Sequence, residues 1–234
     1  VDLYGDGVGS VEYVSHMGND LSVVNAARVS FGARTQTLEK KDIKLIKYLM
    51  AHNHTSPFEH CVVTMCFTVP LFIRSQHHRH RTWSYNEISR RYTSIDMNFY
   101  EPLEFRKQHV SNRQASTDEL INPDLSAVDS SRLVPSSNDA SSAVIAHHRR
   151  SIELYDRLLE SGVSREQARG VLPQNLYTQY YGTVNLNNLL KFVSLRQHEG
   201  AQWEIQQVAS ACLTIAIEHF PESVRAYREK HMRK

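Results

Sequence analysis

The run Cys61–Tyr92, CVVTMCFTVPLFIRSQHHRHRTWSYNEISRRY, joins three kinds of segment without a break. Cys61 to Val69 is rich in β-branched and apolar residues and reads as a strand. Pro70 follows, and its fixed φ and missing N–H suit the first turn of a helix, predicted over residues 71–80. The third segment, Arg79–Tyr92, is an Arg/Ser stretch where a nucleotide-binding fold would carry glycines. Neither a Gly-x-Gly-x-x-Gly fingerprint nor a Walker-type loop occurs in the chain. A dinucleotide, if bound, is therefore not held in a Rossmann crevice. Side-chain cations would have to replace the helix-terminal amides that usually face a pyrophosphate.

The Arg/Ser stretch supplies such cations. Arg79, Arg81, Arg90 and Arg91 surround one acid, Glu87, with Ser84, Asn86 and Ser89 between them. Arginine keeps its proton near neutral pH, and its fork matches phosphate and carboxylate oxygens. Such a cluster repels itself unless an anion sits in it, so it reads as a site for a phosphorylated ligand. Two alternatives stand beside this reading. One is a solvated basic face, although such faces usually carry Lys interspersed with Glu. The other is an RNA or nucleotide contact in which Trp83, Tyr85 and Tyr92 stack on bases.

Outward from this run, helices and strands mix without a βαβ rhythm. Asp20 can cap a helix through Leu21, Val24, Ala27 and Arg28. Residues 38–52 read as a helix with Ile43, Ile46, Leu49 and Met50 as its buried stripe, broken by His52–Pro57. Residues 107–142 are dominated by Ser, Asn and Asp and form a polar insertion without sustained period. A helix from about 142 to 160 ends at Gly162, and Ser164 with Gln167 forms a capping-box pattern for a short helix. Asn175 to Val184 alternates like a strand, and Asn185 can cap a helix through Leu189, Leu190 and Val193. A last long helix carries Ile205, Val208, Cys212, Ile215 and His219 on one face. The expectation is an α+β fold in a single domain over residues 1–234.

Composition narrows the class. A net charge of +2 on 234 residues is too small for a nucleic-acid coat, so any charged partner is recognised locally. No apolar run approaches the roughly 20 residues that span a bilayer, and Val1–Gly5 lacks a signal pattern. Cys61, Cys66 and Cys212 are odd in number, lack metal-ligand spacing and sit in apolar patterns. They read as reduced core residues of a cytoplasmic protein.

Other candidates carry two readings each. His77, His78 and His80 invite a metal, but neighbouring helical positions diverge by about 100° and the arginines would repel a cation. His52, His54 and His60 read as loop and capping histidines or as catalysts. Ser89 could be a nucleophile, though no His–Asp pair is spaced for a triad, or could donate a hydrogen bond to a phosphate. Arg169 and Arg196 end apolar stretches, where a charge implies either a salt bridge or a function.

Several separated motifs, in order, resemble the flavin-dependent thymidylate synthases. They are Gly18-Asn19-Asp20 with Ala26–Ser30, His54 with Ser56–His60, and Arg79-His80-Arg81 followed after seven residues by Ser89. Arg169–Pro173, Thr183-Val184-Asn185, Leu195-Arg196 and Ala201–Gln206 continue the match. The resemblance implies conversion of dUMP to dTMP, with the carbon from methylenetetrahydrofolate and electrons from NADPH through FAD. It also implies a homotetramer whose active sites are shared between subunits, without nucleic-acid or membrane partners and without a metal. By the same resemblance, Gln76, Arg79, Glu87, Ser89, Arg90, Arg91, Arg169 and Arg196 would bind dUMP. Arg196 would be catalytic, as a fixed cation at the uracil edge. Ser56, Arg79, His80, Arg81, Glu87, Asn185, Asn187 and Lys191 would contact FAD, and His54 would lie near stacked flavin and folate. Arg90, Asn187 and Lys191 depart from the family pattern, and the insertion is read as a lid over the folate side.

Overall fold

The computed structural model describes residues 1–93, 97–125 and 139–232. The chain runs β1 (Ser10–Met17), α1 (Asp20–Arg28), α2 (Lys40–Ala51), β2 (Val62–Pro70), α3 (Leu71–His77) and β3 (Ser84–Glu87). It continues with β4 (Phe105–Gln108), β5 (Ser116–Ile121), α4 (Ala140–Glu160), α5 (Arg165–Ala168) and β6 (Tyr177–Asn185). Helices α6 (Leu186–Arg196), α7 (Trp203–His219) and α8 (Pro221–Met232) close it. Helices and sheets with antiparallel pairings mix as expected for α+β. Two compact units are distinguished, one of Val1–Thr68, Ser75–Glu87 and Gln179–Lys234, the other of Val69–Arg74 and Ile88–Thr178.

The first unit is organised by the sheet β1-β2-β6-β3. β1 pairs antiparallel with β2, with a bulge between Tyr13 and Ser15. β3 pairs antiparallel with β6, Ser84 opposite Thr183 and Glu87 opposite Tyr180. Strand β2 alternates toward a core of Val63, Met65 and Phe67, none of which is exposed. Helix α7 buries Ile205, Val208, Cys212 and Ile215, and α6 buries Leu189, Phe192 and Val193. Gly182 is required here, because a Cβ on it would come within 2.8 Å of the Phe67 ring.

Caps differ from the sequence expectation in an instructive way. Asn19, not Asp20, caps α1, accepting from Ser22 N. Asp20 caps a different helix. Its carboxylate accepts from the backbone N–H groups of Glu222 and Ser223 at 2.8 and 2.9 Å, and from the Ser223 hydroxyl at 2.5 Å. It thereby neutralises the first turn of α8, a helix the periodicity did not reveal. Asn185 caps α6 as expected, accepting from Asn188 N at 2.9 Å. Ser164 stands at the N-cap of α5 without a side-chain capping bond, so the expected capping box does not form.

In the second unit, β4 and β5 pair antiparallel, Phe105 opposite Ile121, with β5 inside the 107–142 stretch read as lacking sustained period and β4 straddling its start. That stretch also includes residues 126–138, which lie outside the described residues. Helix α4 buries His148, Ser151 and Tyr155. His148 Nδ1 lies 2.8 Å from Glu101 Oε1, and its ring stacks on Phe99 at 4.5 Å. Residues 98–100 run beside 175–177, with Tyr177 N–H donating to Asn98 O and Tyr100 N–H to Asn175 O, both at 2.9 Å.

Candidate functional site

Helix α3 stops at His77 rather than at residue 80, and the reason lies in the turn that follows. The N–H of His80 donates to His77 O at 3.0 Å and that of Trp83 to His80 O at 3.3 Å. The Tyr85 hydroxyl, from β3, donates to the carbonyls of His77 and His80 at 2.8 and 3.2 Å. A tyrosine on the strand thus holds the turn that carries Arg79-His80-Arg81. Beneath it His77 is fully buried, with Nδ1 2.8 Å from the Tyr180 hydroxyl. Its ring packs on Phe67, Trp83 and Phe192 within 4.8 Å. Burial, then the neighbouring His80 and His78 and the Arg196 charge, hold His77 well below the usual imidazole range.

Arg196, the last residue of α6, reaches this turn. Its Nε donates to His80 Nε2 at 3.0 Å. An imidazole nitrogen accepts only when it bears no proton, so this bond requires neutral His80 with its proton on Nδ1. Burial and the Arg196 charge push His80 down to about 4, which agrees with that state. Burial and the Arg79 charge in turn press Arg196 below the usual guanidinium range. Arg79, Arg81 and Arg196 form no ion pair among the described residues. The first unit therefore gathers cations that lack a carboxylate, the condition under which an anionic ligand is favoured.

Gln76, one turn before Arg79, is half-buried and donates from Nε2 to Gln202 Oε1 at 2.5 Å. Gln202 Nε2 donates in turn to Glu204 Oε2 at 2.9 Å. Glu87 ends β3 opposite Tyr180.

A cavity of about 130 Å³ in the same unit is lined by Asn53, Thr55, Phe58, Asn187, Lys191 and Lys230, among others. Two residues expected at FAD, Asn187 and Lys191, share it. Asn187 is held by Glu59, to whose Oε1 it donates at 2.7 Å. The loop after α2 turns through Asn53, whose φ of 58° is left-handed, a conformation asparagine tolerates. Lys230 of α8 fixes that turn, donating to Met50 O at 2.9 Å and Asn53 Oδ1 at 2.6 Å. His54 and Ser56 are exposed just beyond it. This donor set fits a phosphorylated, polar cofactor: exposed unpaired arginines, an amide and a lysine.

The remaining expected residues lie in the second unit. Ser89 organises a turn, its carbonyl accepting from Tyr92 N at 3.0 Å and its hydroxyl from Arg91 N at 3.3 Å. Arg90 donates to Tyr177 O at 3.2 Å. Arg91 lies 3.7 Å from Glu166 Oε2, and Arg169 Nε donates to Glu166 O at 3.3 Å. Arg91 and Arg169 thus converge on one residue. Arg169 is exposed and, like Arg196, forms no ion pair among the described residues, so the salt-bridge reading within the chain falls away for both.

All three cysteines are buried, as the apolar patterns implied. Burial pushes the Cys61 thiol up to about 12 and raises Cys66 and Cys212 as well. None is poised as a thiolate. Glu59, Gln202 and Lys230 are not among the site residues read from the sequence, and Tyr85, read there as a stacking residue, instead holds the turn through its hydroxyl. Glu59 and Gln202 stand inside the motifs Ser56–His60 and Ala201–Gln206, whereas Lys230 stands in none.

Residues 12–222 match the family model described as thymidylate synthase complementing protein. The chain belongs to the flavin-dependent thymidylate synthase family. It is 44% identical to the flavin-dependent thymidylate synthase of Thermus thermophilus, over 94% of this chain and 76% of that protein. The enzyme of the same name from Thermotoga neapolitana is 42% identical over 94% of this chain and 90% of its own. Among solved structures, a UMP/dUMP methylase from Streptomyces cacaoi bound with 5-Br UMP superposes with a TM-score of 0.77 at 32% identity. That likeness covers 98% of this chain and 97% of the methylase. Family membership makes this chain an enzyme, and the arginine turn described above belongs to the segment that carries the family motif. No described helix is long and apolar enough to cross a membrane.

Proposed function

We propose that the protein makes dTMP from dUMP by FAD-dependent reductive methylation, with methylenetetrahydrofolate as carbon donor and NADPH as reductant. The observation that carries this reading is the Arg196–His80 bond beside Arg79. Two cations without an ion pair among the described residues, Arg196 and Arg79, thus meet at the C-terminal end of α6, and neutral His80 holds one of them by its Nε edge. Bound FAD supplies hydride chemistry at neutral pH, which makes a protein thiolate unnecessary.

The protein's own residues divide the remaining work. Arg196, locked through Nε, keeps its other donors for the uracil edge, where negative charge develops on N3 and O4 as C5 becomes nucleophilic. Ser89, Arg90, Arg91 and Arg169 supply donors for the dUMP phosphate, with Gln76 and Glu87 as further contacts. Arg79, His80 and Arg81 face the FAD pyrophosphate, while Ser56, Asn185, Asn187 and Lys191 hold other parts of the cofactor. His54 lies at the flavin–folate stack, and the insertion at 107–142 covers the folate side. Scattered cations of this kind suit a homotetramer with sites shared between subunits, in the cytoplasm. Ser89 acts as a positioning residue and not as a nucleophile.

The test is direct. Purified protein supplied with FAD, NADPH and methylenetetrahydrofolate should convert dUMP to dTMP and show flavin absorbance. UMP belongs in the same assay, because the Streptomyces cacaoi methylase carries both UMP and dUMP in its name. A protein that binds FAD but forms no methylated product, or makes product equally well without FAD, would refute the proposal.

A further inference from the structure

Gln202 occupies the N-cap of α7, yet its side chain makes no capping bond. Glutamine is a poor N-cap, and Ser, Thr, Asp or Asn would stabilise the helix start. The side chain is instead committed elsewhere. Its Nε2 donates to Glu204 Oε2 at 2.9 Å, and its Oε1 accepts from Gln76 Nε2 at 2.5 Å. Glu204 is buried at 4% exposure.

The direction of this chain is set at one end. A carboxylate oxygen accepts and cannot donate. Gln202 must therefore turn its NH₂ toward Glu204, which turns its carbonyl toward Gln76. Gln76 must then offer its NH₂ to Gln202. Amide orientation is defined by such networks, and here only one polarity satisfies every member. The Gln76 oxygen is left over, with no hydrogen bond among the described residues. Gln76 lies one turn before Arg79, whose N–H donates to Gln76 O at 3.3 Å.

We propose that Gln202 and Glu204 are positioning residues that fix the Gln76 amide so that its oxygen faces the nucleotide and selects a hydrogen-bond donor there. The inference rests on the reading of Gln76 as a dUMP contact. A donor on dUMP is either a sugar hydroxyl or the imide N3–H, and both present the same chemistry to Gln76. Reversal of the amide would set two donors face to face and weaken binding of the correct ligand.

The measurement is dUMP affinity for the FAD-loaded enzyme, with a parallel FAD titration. Gln76→Ala should weaken dUMP about 10-fold, the scale of one hydrogen bond to a ligand whose partner is left unmet. Glu204→Gln lets both polarities form and should weaken dUMP about 3-fold while FAD affinity is unchanged. The exchange Gln202→Glu with Glu204→Gln moves the carboxylate one link along, keeps Gln76 as donor to it, and should restore dUMP affinity. In a Gln76→Ala background, Glu204→Gln should have no further effect. The 3′-deoxy and N3-methyl analogues of dUMP identify the donor, since only the analogue lacking it loses less in Glu204→Gln than in the parent. If Glu204→Gln misfolds, Gln202→Met removes the link at similar volume and should give the same loss. Additive effects of Glu204→Gln and Gln76→Ala, or failure of the exchange to restore affinity, would overturn the relay. An unchanged dUMP affinity in Gln76→Ala would instead overturn the contact on which it rests.

Discussion

Replacing Arg196 by lysine probes the site at its stiffest point. Arg196 donates from Nε to His80 Nε2 at 3.0 Å, so its planar fork is held by one edge. His80 is itself held, its ring edge-on to Phe192 at 4.9 Å and its carbonyl bonded by the Tyr85 hydroxyl. Lysine keeps the charge but has a single ammonium on a flexible stem. It can satisfy His80 or the uracil edge, but not both at once. The loss amounts to one preorganised donor at a developing anion, about 3 kcal/mol, or roughly 100-fold in kcat. Affinity for FAD should stay within a factor of about 2, because the cofactor contacts are assigned to other residues. The assay is initial-rate dTMP formation at saturating dUMP and folate, accompanied by a flavin titration and a melting curve. A folded, FAD-loaded Arg196→Lys enzyme with near-parental kcat would refute the assignment of Arg196 to charge stabilisation.

Three other outcomes follow from the geometry. Asp20→Ala strips three acceptor contacts from the first turn of α8 and should cost about 3 kcal/mol, read as a lower denaturation midpoint. Gly182→Ala places a methyl group 2.8 Å from Phe67 Cε2 and 3.2 Å from the Trp83 ring, and should destabilise by about 1–3 kcal/mol in the same denaturation assay. Acid should also weaken the fold. The unfolded chain protonates its His80 near 6.5, whereas the folded chain does so only near 4. Stability from neutral His80 is thus present above about pH 6.5 and lost as pH falls toward about 4. A Tm–pH profile should show that slope, reduced in His80→Asn.

What the sequence revealed depended on how local the signal was. The strand at 61–69 and the helix capped by Asn185 are written in consecutive residues; the strand forms within one position of its expected limits, and the helix starts at its expected cap and runs three residues past Val193. β1 escaped notice because six of its eight residues are exposed, which leaves no alternation to read. β3 is four residues long and sits inside the arginine segment, where charge obscures a strand pattern. The β4–β5 pair lies in polar sequence for the same reason. Asp20 was recognised as a cap, but its helix lies some two hundred residues away, a distance no local rule can see. Within the site, residue types are legible in the sequence: the arginines cluster visibly over residues 79–91. Pairing is not. That Arg196 meets a neutral His80, or that Glu59 holds Asn187, requires side chains 116 and 128 positions apart to be placed in space.

The Asp20 contact with α8 also bears on how the chain is made. Asp20 leaves the ribosome long before Glu222 and Ser223, its acceptor in place but without donors to receive. Closing a loop of that span costs about 5 kcal/mol of chain entropy by ideal-chain scaling. The contact therefore belongs late in folding, after β1, β2 and β6 have brought the ends of the first unit near each other. Until then α1 carries a buried-type carboxylate with nothing to meet it. A chain cut before residue 221 would leave that carboxylate without the N–H donors of Glu222 and Ser223, so the stability of the N-terminal α1 depends on residues some two hundred positions away.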